Sequence, residues 1–194
     1  MKKLSLMMMF MLSAWMFQAC NNATKNDSKE SADSTNAVKD STTSGATGIA
    51  VDSVDAKFAT SAANAGLAEV AVGKVAEQKA VNQQVKAFAA MMVKDHSKAN
   101  DELTAIAKTK NITLPTEPGE DKQKELADLS AKSATDFDKA YVNAMVDGHK
   151  KAVALFEDGS KNCKNPELKA FATNTLPTIK GHLAEIETIK KGMK

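Results

Sequence analysis

The stretch "AVNQQVKAFAAMMVKDHSKANDELTAIAK" at residues 80–108 decides the fold. Its apolar residues recur every three or four positions, which is the spacing of one face of an α-helix. Asn82 stands just before this pattern, where a helix N-cap is expected. The apolar face consists of Val85, Ala89, Met92, His96, Ala99 and Leu103. We therefore predict a long amphipathic helix that carries a histidine into a core.

The same helical spacing continues on both sides of this stretch. The predicted long helices cover residues 55–80, 82–108, 135–159 and 165–190, with a shorter helical piece between the second and the third. The segment "NPELKAFA" at 165–172 repeats "NQQVKAFA" at 82–89, so the second and fourth helices begin alike. Two similar hairpins in succession predict an all-α fold, an up-down-up-down four-helix bundle.

One polar residue interrupts the apolar face of each long helix near its centre. These residues are Glu69, His96, His149 and His182, and the chain has only 3 histidines. Burying an unpaired carboxylate is costly, so a buried glutamate needs partners. If both hairpin turns lie at one end, the four residues fall within one or two helical turns of one level. We therefore predict that they share one site, with Gly66 and Gly73 leaving room beside the Glu69 carboxylate.

Imidazole and carboxylate groups are suitable ligands for zinc, copper or iron. The sequence thus predicts a single ion bound by Glu69, His96, His149 and His182. The alternative is a metal-free network of hydrogen bonds between the same residues, which would brace the core. The spacing alone leaves both interpretations open.

Three further residues follow from the helical spacing around the histidines. Met92 and Met145 each precede a histidine by one turn, as soft ligands or as side chains that fill the core. Glu185 lies one turn after His182 and is predicted as an outer hydrogen-bond acceptor. Asp95, beside His96, is expected to face solvent.

The N-terminus predicts export. "MKK" followed by "LSLMMMFMLSAWMF" has the charge and the short apolar run of a signal peptide, and "FQAC" resembles a lipoprotein box ending at Cys20. We predict a signal peptide over 1–19, a lipid anchor at Cys20 and a bundle domain over 54–194. Residues 20–53 lack Leu and aromatic residues and are predicted to form a flexible tether. The expected location is the outer membrane, facing the periplasm; an ordinary signal peptide is the alternative.

Composition narrows the classes of function. Lys plus Arg is 26 and Asp plus Glu is 24, a balance that argues against a nucleic-acid partner. No pairing of a nucleophile with a base and no phosphate-binding loop is evident, so an enzyme ranks last. The competing hypotheses are a metal-binding envelope protein and a non-catalytic interaction module on a lipid anchor.

The segments "GLAEV" at 66–70 and "VKAFAAMMVKDHSKAN" at 85–100, with the later Gly-His pairs, resemble the domain of unknown function 4142 family. These proteins are described as exported or outer membrane proteins, and the resemblance implies a ferritin-like fold without an established activity. Di-iron ferritin-like proteins carry Glu three residues before their histidines. Val93 and Ile179 stand at those positions here, and His149 replaces another Glu, so one ion is expected rather than a di-iron centre.

Overall fold

The computed structural model describes residues 27–41 and 51–193. These residues form six α-helices and no strand, which confirms the all-α class. The helices are α1 (Ser28–Ser41), α2 (Ser53–Lys79), α3 (Gln83–Thr109), α4 (Glu120–Ser130), α5 (Ala134–Asn162) and α6 (Pro166–Gly192). Within the described ranges, no helix has both the length and the apolar character needed to cross a bilayer.

Side-chain caps fix where three of the long helices begin. Asp52, Asn82 and Asn165 precede α2, α3 and α6, and each side chain accepts hydrogen bonds from two backbone amides of the first turn. Such caps satisfy amide groups that have no partner inside the helix. Pro166 follows Asn165 in the first turn, where its missing N–H costs nothing. The start signals predicted at Asn82 and Asn165 are thus confirmed.

The predicted up-down-up-down order is wrong, because the two hairpin turns lie at opposite ends. Asp55, in the first turn of α2, accepts hydrogen bonds from the amides of Lys164 and Asn165 between α5 and α6. Asp138, near the start of α5, accepts from the amides of Val81 and Asn82 at the α2–α3 turn. The order is therefore up-down-down-up, with α3 and α5 parallel.

A long crossover explains this order. The connection from α3 to α5 contains α4 and packs along α2: the Gly119 amide donates to Asn64 Oδ1 at 2.7 Å. At the other end of α2, Lys79 Nζ donates to the carbonyl oxygen of Ser130. The connection thus travels along the bundle instead of turning back at its end. A single long crossover of this kind is typical of ferritin-like folds.

Two apolar clusters fill the two ends of the bundle. In the lower cluster, at the end where α2 begins, Phe58 packs edge-to-face on Phe156, with ring centroids 5.4 Å apart. In the upper cluster, at the end with the α2–α3 turn, Phe88 packs on Tyr141, and Phe137 stacks on the same tyrosine with centroids 5.9 Å apart. The middle of the bundle lies between them, and the candidate ligands occupy that level.

Part of the predicted tether is a helix, which corrects the boundary over 20–53. Within α1, Asn36 exchanges two hydrogen bonds of 2.8 Å with the backbone of Thr113, and Thr60 donates to Asp33 at 2.6 Å. Ala32 is buried against the bundle. Composition suggested too little apolar surface to order this segment, but paired polar contacts fix it. The predicted signal peptide and Cys20 lie outside the described residues.

Candidate metal centre

The three histidines meet in the middle of the bundle. The centroid of the His96 ring lies 5.8 Å from that of His149 and 5.4 Å from that of His182, and the latter two are 5.6 Å apart. One ring nitrogen of each histidine lies within 4.8 Å of one from each of the others. All three residues are buried, at 8%, 0% and 4% exposure in chain order. Helices α3, α5 and α6 each contribute one ring.

Glu69 lies beside this cluster and faces one of its rings. Its Oε2 is 3.0 Å from Nδ1 of His96. Burial lowers the pKa of His96 to about 4, so at neutral pH the ring that faces this carboxyl group is neutral. The side chains close enough together to share one ion are the three histidines, and this group does not include Glu69, which the sequence suggested as a direct ligand. A carboxylate beside a ring nitrogen fixes both the tautomer and the orientation of a histidine.

His149 is held by the backbone of its own helix. Its Nδ1 lies 2.8 Å from the carbonyl oxygen of Met145, one turn earlier. A carbonyl oxygen only accepts, so Nδ1 carries the proton and Nε2 keeps its lone pair. Burial is the main cause that lowers the pKa of His149, which favours the neutral ring. Met145 thus contributes its carbonyl, while its thioether packs in the upper apolar cluster with Met92.

His182 is oriented by a residue that the sequence analysis expected to face solvent. Its Nε2 lies 3.1 Å from Oδ2 of Asp95, whose side chain is 33% exposed. Burial is the main cause that lowers the pKa of His182, so the neutral ring donates to this carboxylate. Glu185, predicted for this role, is exposed and makes no hydrogen bond to His182 among the described residues. The only signal for Asp95 was its position beside His96, which turns it toward α6.

Each histidine keeps one buried nitrogen without a hydrogen-bond partner among the described residues. These atoms are Nε2 of His96, Nε2 of His149 and Nδ1 of His182. Nδ1 of His149 and Nε2 of His182 donate their protons, and Nδ1 of His96 faces a carboxylate oxygen, which favours the proton on that nitrogen. On this assignment all three unpartnered atoms carry lone pairs. A water molecule has two O–H groups and can satisfy at most two of them. Unpaired buried acceptors are costly, and the three atoms lie close enough together that one cation could bind all of them.

A cavity of about 410 Å³ reaches the site from the side, between α2, α4 and α5. Glu69 and Gly148 both line it. A Cβ atom built on Gly148 would lie 3.8 Å from Glu69 Oε1, which is ordinary contact. Gly66 and Gly73 do more than predicted: a Cβ there would meet Asn100 and Val93 on α3, at 2.1 and 2.9 Å. They allow α2 and α3 to approach closely, and Gly66 also lines a small void together with Glu69 and His96.

Comparison with known proteins places the chain in a family. The profile described as "Domain of unknown function (DUF4142)" matches residues 27–189. The chain belongs to the DUF4142 family. The match begins at the residue that precedes α1, so the family domain includes the helix that composition had assigned to the tether. The resemblance predicted from the "GLAEV" and "VKAFAAMMVKDHSKAN" segments is confirmed.

A solved structure shares the fold of this DUF4142 protein. The crystal structure of a DUF305 fragment from Deinococcus radiodurans superposes with a TM-score of 0.64 at 15% sequence identity. The match covers 72% of this chain and 97% of that chain. At this identity the likeness concerns the fold alone. The search of curated proteins finds no match.

The DUF4142 chain departs from the di-iron pattern in the structure as it does in the sequence. Ile179 is buried, at 2% exposure, at one position where di-iron proteins carry a glutamate. Among the described residues the buried carboxylates are Asp55, Glu69 and Asp138, and two of them cap helix ends far from the histidines. One central carboxylate does not build a carboxylate-bridged pair of ions.

Proposed function

We propose that this protein binds a single divalent transition-metal ion through His96, His149 and His182. The observation that carries the proposal is the set of three buried, unpartnered lone pairs in rings whose centroids lie within 5.8 Å of one another. Neutral imidazole is the form that binds metal. Zinc, copper and iron all accept such ligands, and a fourth position would remain for water or another small ligand.

The charge of the surroundings supports a divalent ion. Three neutral imidazoles bring no charge, while the carboxylates of Glu69 and Asp95 each contact one ring, at 3.0 and 3.1 Å. Two carboxylates would balance the charge of one divalent ion without touching it. They would also raise the basicity of the rings, as outer acceptors do in metal sites. Glu69, buried and with a pKa that burial raises, gains most from a cation nearby.

The proposed setting is the cell envelope. The signal-like N-terminus and the box that ends at Cys20 favour a lipoprotein on the outer membrane, facing the periplasm. The four long helices would form the bundle that holds the ion, for storage, transfer or sensing. Substituting Cys20→Ala should move the protein from the membrane fraction to the soluble fraction; continued membrane attachment would contradict the lipid anchor.

A second candidate is a non-catalytic interaction module with a metal-free core. The observation that favours it is that Asp95 and His182 form a hydrogen bond and Glu69 contacts His96 at 3.0 Å without an ion. This alternative leaves one lone pair on each ring unsatisfied, which is why we rank it second.

Elemental analysis of the folded protein, purified without an affinity tag, separates the two functions. Metal binding predicts about one ion per chain, and the substitution His149→Ala should abolish it, since three imidazoles would become two. Protein that stays metal-free after incubation with zinc, copper or iron salts, and melts at an unchanged temperature, would support the metal-free core instead.

A further inference from the structure

The proposed site has no open path to solvent through the histidine rings themselves. His96 is 8%, His149 0% and His182 4% exposed, so all three rings are buried. On the α3–α6 face, the Asp95 carboxylate is bonded to His182 Nε2, and the ring itself stands between that carboxylate and the other two histidines. Above, Phe88 packs against His149 and His182 with centroids 6.1 and 6.4 Å away. An ion must therefore reach the rings by another side.

The cavity between α2, α4 and α5 approaches the rings from that other side. Its volume of about 410 Å³ holds several water molecules or a hydrated ion. Apolar side chains such as Ala68 and Leu126 form much of its wall, while Lys122 and Glu125 lie at the mouth. The Lys122 ammonium pairs with the Glu125 carboxylate at 2.8 Å, so the mouth carries little net charge from this pair.

Glu69 stands between this cavity and the histidines and uses only one of its two oxygens. Oε2 lies 3.0 Å from His96 Nδ1, whereas Oε1 is 3.7 Å from His149 Nδ1, too far for a hydrogen bond. That nitrogen already donates to the Met145 carbonyl. Oε1 accordingly accepts no hydrogen bond from the described residues, although Glu69 is only 7% exposed.

Gly148 leaves this free oxygen open to the cavity. Even a Cβ atom there would only touch Glu69 Oε1, at 3.8 Å, so a longer side chain would extend into the cavity beside the carboxylate. Beyond Glu69 a second void of about 20 Å³ touches His96 and has room for one water molecule. Glu69 thus lines both the cavity and the void, and the void touches the ring of His96.

We propose that this cavity is the route by which a divalent metal ion reaches the three histidines, with Glu69 Oε1 as the first oxygen that receives it. Gly148 keeps the route open. The proposal rests on the proposed metal-binding function and adds how the site is loaded. Because the route contributes no ligand to the final complex, blocking it changes the rates of binding and release and leaves the affinity unchanged.

The test uses metal-free protein mixed rapidly with zinc, followed by transfer of the zinc to a coloured chelator. Gly148→Leu is expected to slow loading and release by about tenfold or more, while the dissociation constant stays within about threefold of wild type. Ala68→Leu, which places the same side chain on the opposite wall without removing a helical glycine, should slow both rates as well. Unchanged affinity shows that each variant keeps the folded site.

A matched control is available in α6. Gly181 precedes His182 just as Gly148 precedes His149, but a Cβ atom on Gly181 would meet nothing within 4 Å. Gly181→Leu should therefore load at the wild-type rate. Lys122→Met removes a positive charge from the mouth and should accelerate loading.

The outcomes separate the route from the function. Wild-type loading rates in Gly148→Leu and Ala68→Leu, or equal slowing in Gly181→Leu, overturn the route while the metal site stands. Wild-type protein that binds no zinc, copper or iron at all overturns the proposed function and the route together.

Discussion

The two hairpins, α2–α3 and α5–α6, share the capping residues at their ends, which we call the frame, but differ in the residues at their centres. The same number of residues separates Asp55 from Asp138 and Asn82 from Asn165. In both hairpins the aspartate caps the turn of the other hairpin, and the asparagine caps the second helix of its own. The repeat in the sequence therefore corresponds to a structural repeat in which each hairpin caps the turn of the other.

The centre breaks this likeness. At the same separation, the positions that correspond to the four central polar residues hold small or apolar side chains. Glu69, His96, His149 and His182 correspond in order to Ala152, Ile179, Gly66 and Ala99. At these equivalent positions the hairpins pack with small or apolar side chains. The polar residues are therefore not needed for the hairpins to pack, and burying them costs free energy. This difference favours the proposed binding role of the polar centre over a purely structural one.

The largest effect is expected at the shared frame. Asp55→Ala and Asp138→Ala each remove a buried carboxylate that accepts from two backbone amides, so each should lower the free energy of unfolding by about 3 kcal/mol. Urea denaturation measures it, with exposed Asp101→Ala as a control expected within about 0.5 kcal/mol of wild type. A large loss in one variant alone would show that the two hairpins do not share equivalent caps.

At the centre, the two outer carboxylates differ in burial. Glu69→Gln and Asp95→Asn keep an oxygen that accepts from the histidine but remove its charge. We expect metal affinity to fall by about 10- to 100-fold for the buried Glu69. A smaller loss is expected for Asp95, because its side chain is 33% exposed and solvent screens it. Competition titration with a chelator gives both values, and a larger loss for Asp95 would reverse the assigned roles.

The pH dependence of the metal-free protein provides the next comparison. The folded-state pKa of His96 is about 4, below the value of 6.5 for a free histidine. Between these values the unfolded chain binds the proton and the folded chain does not. Stability is therefore complete above pH 6.5 and declines as the pH falls toward 4. His96→Gln, which still donates to Glu69 but cannot titrate, should show a shallower decline in urea denaturation; an identical decline would contradict the assignment.

The sequence predicted the helices well and their order badly. Helix starts followed from Asn82 and Asn165, because a cap is a local interaction. The up or down direction of the last two helices depends on whether the connection from α3 to α5 stays at one end of the bundle or runs to the other. The polar sequence of this connection does not indicate which of the two it does. The histidines meet in either order, since each stands near the middle of a long helix. The contact between Asp95 and His182 depends on how α6 is rotated about its axis relative to α3. Residue spacing within a single helix cannot predict that rotation.

The most direct test of the account is X-ray absorption at the edge of the bound metal in zinc-loaded protein. If three imidazole rings bind the ion, the spectrum should show nitrogen neighbours at about 2.0–2.1 Å, together with scattering from the more distant atoms of the rings. His182→Ala should remove one ring from this signal. A sulfur neighbour at about 2.3 Å, or a shell of oxygen alone, would contradict the claim that the three unpartnered nitrogens hold the ion.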